Sequence, residues 1–240
     1  MTTRDRRPHW DATTDSSKDR RDASQDKDMT LVDAGPRLDP AHAWLAQRSA
    51  SPVVRISIDG QPLLAVVDVQ AEEHARRQEA RIGAVTSKGL LCGLWLLPTG
   101  APVRSDQLPA SKIDRFQQSR GVVEESLGGW TRRYSPAGVV RALAVVQRSA
   151  KPALRVADGL PPIFERWVFA DDGLKRPSAD LLAQAAMSGV GLTRTSLSPT
   201  KSIIEASPAV IGSPGVYRWW IGEVAYAAWL AQTPSTQLSS

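Results

Sequence analysis

Asp68 and Gln70 stand two residues apart at the end of an apolar run, with Asp59 in a turn ahead of them. Residues two apart on a strand point to the same side, so such a pair can act together. Carboxylates that converge on a divalent cation hold it through hard, charged oxygens. The cation then activates water and steadies the charge that builds on a phosphate under attack. Asp59 and Asp68 are the candidate metal ligands, with Gln70 as the third member of a catalytic set. His74, Arg76, Arg77 and Arg81 follow at once and are candidates for contacting a nucleic-acid phosphate. Mg²⁺ is the implied ion, and only if the set is active.

The elements that must position these residues can be read from pattern. Val53–Ile58 is a β-rich run, Asp59-Gly60-Gln61-Pro62 is a turn signal, and Leu63–Gln70 is a second, almost wholly apolar strand. Ala71–Lys88 has helical composition, and Leu90–Leu97 is expected to be a further buried strand, stopped by Pro98. Upstream, Asp39-Pro40 opens a short helix over Ala41–Arg48. Downstream, Ser111–Gln118 is a short polar helix, Val122–Leu127 is ambiguous, and Ala137–Arg148 is expected to be a helix with Val139, Val140, Leu143 and Val146 on one face. Leu154–Val156 is a candidate short strand, and Ser178–Met187 is a helix capped by Ser178 and ended near Gly189. Val216–Ala231, rich in Trp and Tyr, is either a helix or paired strands.

Over residues 53–98 this order resembles the restriction-endonuclease-like (PD-(D/E)XK) superfamily, and more closely its very-short-patch-repair-like branch of bacterial domains of unknown function. In that branch a strand ending in Glu-hydrophobic-Asp precedes a His, an Arg-rich helix and a strand that begins after Gly. Leu63–Val69 matches the strand, Asp68 takes the Glu position and Gln70 the second acid position. His74 falls at the family His, Arg76, Arg77 and Arg81 lie on the helix, and Gly89–Trp95 resembles the next strand. The resemblance implies a mixed sheet with flanking helices, DNA as partner, and a setting in a mobile element or defence system.

The departures from that pattern are as informative. The family's first acid sits within the first strand of the hairpin, where this chain has Val54, Arg55 and Ser57. Gln70 is neutral, and a magnesium site that loses a carboxylate is severely weakened. These departures favour a degenerate, nucleic-acid-binding site. Gln does occur at this place in nucleases of the fold, which keeps an active Mg²⁺-dependent DNA endonuclease as the alternative. A non-catalytic protein-interaction module is the other. Each residue also has a plainer explanation. Asp59 suits a hairpin turn, Asp68 could pair with an arginine of the following helix, and the arginines could pair with Glu72, Glu73 and Glu79 at helical spacing.

Composition sets the remaining bounds. The chain has 240 residues, 42% of them hydrophobic, enough for a substantial core. Net charge is +5, from 30 basic residues of which only seven are Lys. An Arg-biased excess is compatible with phosphate recognition and equally with an ordinary solvated surface. The single Cys92 excludes a disulfide framework and a zinc-ligand cluster and is expected to be a buried core thiol. No run approaches the ~20 apolar residues of a membrane span, so a cytoplasmic protein without membrane contact is the expectation. The expected organisation is α/β: a charged, disordered tail over 1–36, a restriction-endonuclease-like domain over 37–120, and a mainly helical region over 121–240.

Overall fold

The computed structural model describes residues 35–118, 121–126, 129–195, 202–210 and 215–233. The charged tail expected over 1–36 lies outside them, except for Gly35 and Pro36, which open the first helix. The described residues form one compact unit built on a mixed five-stranded sheet.

Helix α1 (Gly35–Arg48) leads into β1 (Val53–Ile58). Asp59 and Gly60 both take positive φ, 49° and 77°, as a two-residue hairpin turn requires, and return the chain as β2 (Gln61–Val69). Three more elements follow along one side: α2 (Ala71–Glu79), α3 (Lys88–Leu94) and, after the two-residue strand β3 (Val103–Arg104), α4 (Ala110–Gln118). Strands β4 (Val123–Ser126) and β5 (Gly129–Arg132) join β3 in a small separate sheet of order β3-β5-β4. The chain then re-enters the main sheet as β6 (Gly138–Val146) and continues α5 (Ala150–Asp158), β7 (Glu165–Phe169), α6 (Ala179–Ser188), β8 (Val190–Thr193). Helix α7 (Val216–Gln232) closes the unit.

The main sheet runs β1-β2-β6-β7-β8. β1, β2 and β6 pair antiparallel, and β6, β7 and β8 pair parallel. α3, α5, α6 and α7 pack one apolar layer against the sheet, through residues such as Leu91, Leu94, Leu154, Leu181 and Ile221. α1 covers part of the opposite face, where Trp44 and Leu45 meet Leu64, Val66, Trp167 and Phe169. Trp44 stands edge-on to Trp167 at 4.8 Å and to Phe169 at 5.3 Å.

Several sequence expectations are corrected here. Residues 137–148 form a strand: β6 lies between β2 and β7 and is buried on both faces, and an apolar run so placed carries no period that separates strand from helix. Residues 90–97 are helical in their first half, because Ser87 caps α3 by accepting from the Leu90 amide at 3.3 Å and the run is Leu- and Gly-rich without β-branched residues. Cys92 is consequently exposed on α3. The boundary expected near residue 120 divides one sheet, since β6, β7 and β8 come from the half expected to be mainly helical and hydrogen-bond onward from β2. Leu154–Val156 belongs to α5, and Val216–Gln232 is a single helix. Among the described residues no helix is long and apolar enough to cross a membrane.

Candidate functional site

Asp68 follows Leu64 and Val66 by the period of two, so its side chain leaves the sheet on the α1 side. Its cross-strand partner is Val139 on β6. Between Val66↔Ala142 and Val67↔Val140 the register shifts, which leaves Arg141 as the extra residue of a β-bulge. The bulge turns Arg141 toward Asp68. Arg141 Nε donates to Asp68 Oδ2, and the hydroxyl of Ser51 donates to Oδ1. The aspartate side chain is 23% exposed and the arginine 63%, so the carboxylate is half-sheltered while the guanidinium faces solvent. Beside this pair a cleft of about 580 Å³ is lined by Gln70, Glu72, Glu73, Arg76, Ser135 and Val139, among others.

The other sequence-selected residues scatter around this point. Asp59 is at the hairpin turn, separated from Asp68 by roughly 25 Å of strand, and is paired instead with Lys88 at 3.7 Å. Gln70 stands at the N-cap position of α2 without a side-chain capping bond, its amide nitrogen 3.4 Å from the Asp68 carbonyl oxygen. Arg76 is half-exposed and bonds Glu73 at 2.8 Å. Arg81 is exposed just past the end of α2, with φ 55°.

Arg77 is where the structure departs furthest from the sequence expectation. It is fully buried and therefore cannot reach a phosphate. Its Nε donates to Glu73 at 2.9 Å, and its two terminal nitrogens donate to Glu223 of α7 at 2.7 and 2.8 Å and to the Ser135 carbonyl at 2.7 Å. Burial alone would lower the Arg77 pKa, but the hydrogen bonds and charges of Glu223 and Glu73 outweigh it and raise the value. Glu223 also accepts from the amides of Val85 at 2.8 Å and Ala137 at 3.2 Å and from the Trp219 indole at 3.1 Å. This is a structural junction of α2, α7 and the segment before β6.

His74 is drawn into the rim of that junction. Its Nδ1 shares a 2.8 Å hydrogen bond with the Tyr226 hydroxyl, and its ring stands edge-on to Trp229 at 5.0 Å. Burial pushes its pKa below the ordinary 6.5. The unfolded chain therefore takes up the proton first as pH falls. The stability that His74 contributes is whole above pH 6.5 and is lost as pH drops through 6.5 and then through the lowered native value. Thermal melts between about pH 7.5 and pH 5 should show this loss in the native sequence and a shallower one in His74→Gln.

The donor set does not fit Mg²⁺. Asp68 supplies one carboxylate with both oxygens already engaged, Asp59 is out of reach, and Gln70 is neutral. Where a second acid would face Asp68 across the sheet stands Val139, and two positions on stands Arg141. Among the described residues, no three His, Cys, Asp or Glu side chains converge on a point that could hold a metal ion. Sequence reasoning missed Ser51, Val139 and Arg141. For Val139 and Arg141 the signal was their place beside β2, hidden because residues 137–148 read as a helix, while Ser51 in the loop before β1 carries no local mark. No family model, curated protein or solved structure matches the chain.

Proposed function

We propose that this chain is a non-cleaving nucleic-acid-binding protein on a restriction-endonuclease-like sheet, in which an arginine replaces the catalytic cation. One observation carries the reading: the Arg141 guanidinium donates to Asp68, the acid at the end of the second hairpin strand, while its other side faces solvent. A guanidinium held by a carboxylate on one edge and open to solvent on the other can contact a phosphate oxygen. It cannot generate hydroxide. The mixed sheet flanked by helices and the acid at the end of the second hairpin strand support the same descent. A role in DNA processing within a mobile element or defence system follows from that resemblance.

The test is binding of labelled DNA by anisotropy in EDTA, with a parallel cleavage assay in Mg²⁺ and Mn²⁺. Binding should persist in EDTA and in Asp68→Ala, which releases Arg141 without removing it. Arg141→Ala should weaken binding and make the slope of log K against log salt shallower by about 0.9, the loss of one phosphate contact. Metal-dependent cleavage that Asp68→Ala abolishes would establish the active endonuclease instead. No affinity even at low salt would leave the protein-interaction module.

A further inference from the structure

We propose that β1 is a self-association edge. Two copies of this chain pair antiparallel along it, about a two-fold axis through Ile56, and join two five-stranded sheets into one continuous sheet. The inference does not depend on what the chain binds.

Which backbone groups of β1 face outward follows from its ladder with β2. The Val67 amide donates to the Pro52 carbonyl at 3.0 Å, which makes Val53↔Val66 a non-hydrogen-bonded pair and Val54↔Ala65 a hydrogen-bonded one. Val54, Ile56 and Ile58 therefore direct their N–H and C=O groups to β2, while those of Val53, Arg55 and Ser57 point away from the sheet. The Val53 carbonyl is taken, accepting from His42 Nε2 at 3.0 Å. Arg55 and Ser57 are exposed, and their backbone N–H and C=O groups have no hydrogen-bond partner among the described residues. The opposite edge of the sheet is covered by residues 203–207. There the Leu192 amide donates to the Ile204 carbonyl at 2.9 Å, and the Ser207 amide to the Gly189 carbonyl at 3.0 Å.

β1 also lacks what keeps edge strands apart. It has no Pro, Lys or bulge, and it pairs with β2 in unbroken register over all six residues. Its one charge, Arg55, is held against Asp39 of α1 at 3.0 Å. The open groups complement themselves. With the two-fold through Ile56, Arg55 lies opposite Ser57 of the second copy and Ser57 opposite its Arg55, and each such pair exchanges both of its N–H···O bonds. Val54 then faces Ile58 of the second copy along a β-branched row. Centring the axis on Arg55 instead would set two guanidinium groups against each other and would require the carbonyl that His42 holds. Because the other edge is covered, association closes at two copies. Residues opposite each other point to one side, so both α1 faces, with their Asp68–Arg141 pairs, look the same way.

The experiment is sedimentation equilibrium of the full chain over a concentration series, with Ser57→Pro, Ser57→Lys and Ser57→Asp beside it. The native chain should pass from monomer to dimer and stop there. Ser57→Pro removes an outward N–H that no bond within the chain uses, so it should fold and stay monomeric. Ser57→Lys sets a cation opposite Arg55 of the second copy, and the two-fold repeats that pair, so the dimer Kd should rise about fivefold to tenfold. Ser57→Asp should lower it by a similar factor, a gain that a damaged fold cannot imitate. A native chain that is monomeric throughout overturns the proposal and leaves β1 to a strand from another protein. A dimer indifferent to Ser57→Pro, or one that Lys and Asp weaken alike, overturns it too, since association then does not run through this pairing.

Discussion

Arg77→Ala is expected to destabilise the fold by about 3–5 kcal/mol, the cost of breaking a buried ion pair from one side. Arg77 and Glu223 are both fully buried, and truncating the arginine leaves Glu223 without its cation while Glu73 loses one of two. Glu223→Leu should cost at least as much, because the amides of Val85 and Ala137 and the Trp219 indole lose their acceptor with it. The double variant Arg77→Met/Glu223→Leu should recover part of the loss, since neither charge is then left unpaired. Denaturant midpoints at constant slope measure all three. A stable Arg77→Ala protein that had lost only nucleic-acid affinity would put the guanidinium at the surface after all.

Gly222→Ala is expected to cost about 3 kcal/mol, at the upper end of overpacking effects, because the added methyl meets backbone on a facing element. Its Cβ would fall 2.1 Å from the Gly138 carbonyl oxygen and 3.1 Å from the carbonyl carbon. Gly138 is in a similar position, with the Gly222 oxygen 2.6 Å from its own missing Cβ. Neither can give way without moving α7 off β6. Gly83→Ala is the control, since a Cβ there meets nothing within 4 Å. It should be neutral or slightly stabilising through the unfolded chain. Equal melting temperatures for Gly222→Ala and Gly83→Ala would mean that α7 does not lie directly on the sheet.

What could be read from the sequence was local. Asp59-Gly60 announced the β1–β2 hairpin, because only certain residues tolerate its backbone angles. Ser178 and Gly189 announced the ends of α6: Ser178 accepts from the Leu181 amide at 3.3 Å, and Gly189 takes φ 66°. The losses came where distant chain segments decide the outcome. Val139, Val140, Leu143 and Val146 satisfy a helical face, yet the neighbouring strands β2 and β7 claim them for a sheet. For Asp68 an arginine partner from the following helix was one expectation. The partner is an arginine, Arg141, but it comes from the adjacent strand. Arg77 could be seen to pair with Glu73 four residues away, while Glu223 carries no local mark of its role. The candidate site was therefore half legible: its acid was visible, and the residues that hold it were not.

The Arg77–Glu223 contact joins positions 146 residues apart in the chain. At ribosomal speeds that interval is roughly 7–30 s, during which the arginine has been made and its carboxylate partner has not. Any nascent chain or fragment ending before α7 would have Arg77 paired with Glu73 alone, and the amides of Val85 and Ala137 would lack the Glu223 carboxylate. The interior around Arg77 is thus completed by a contact that α7 supplies, and closing it waits on that helix.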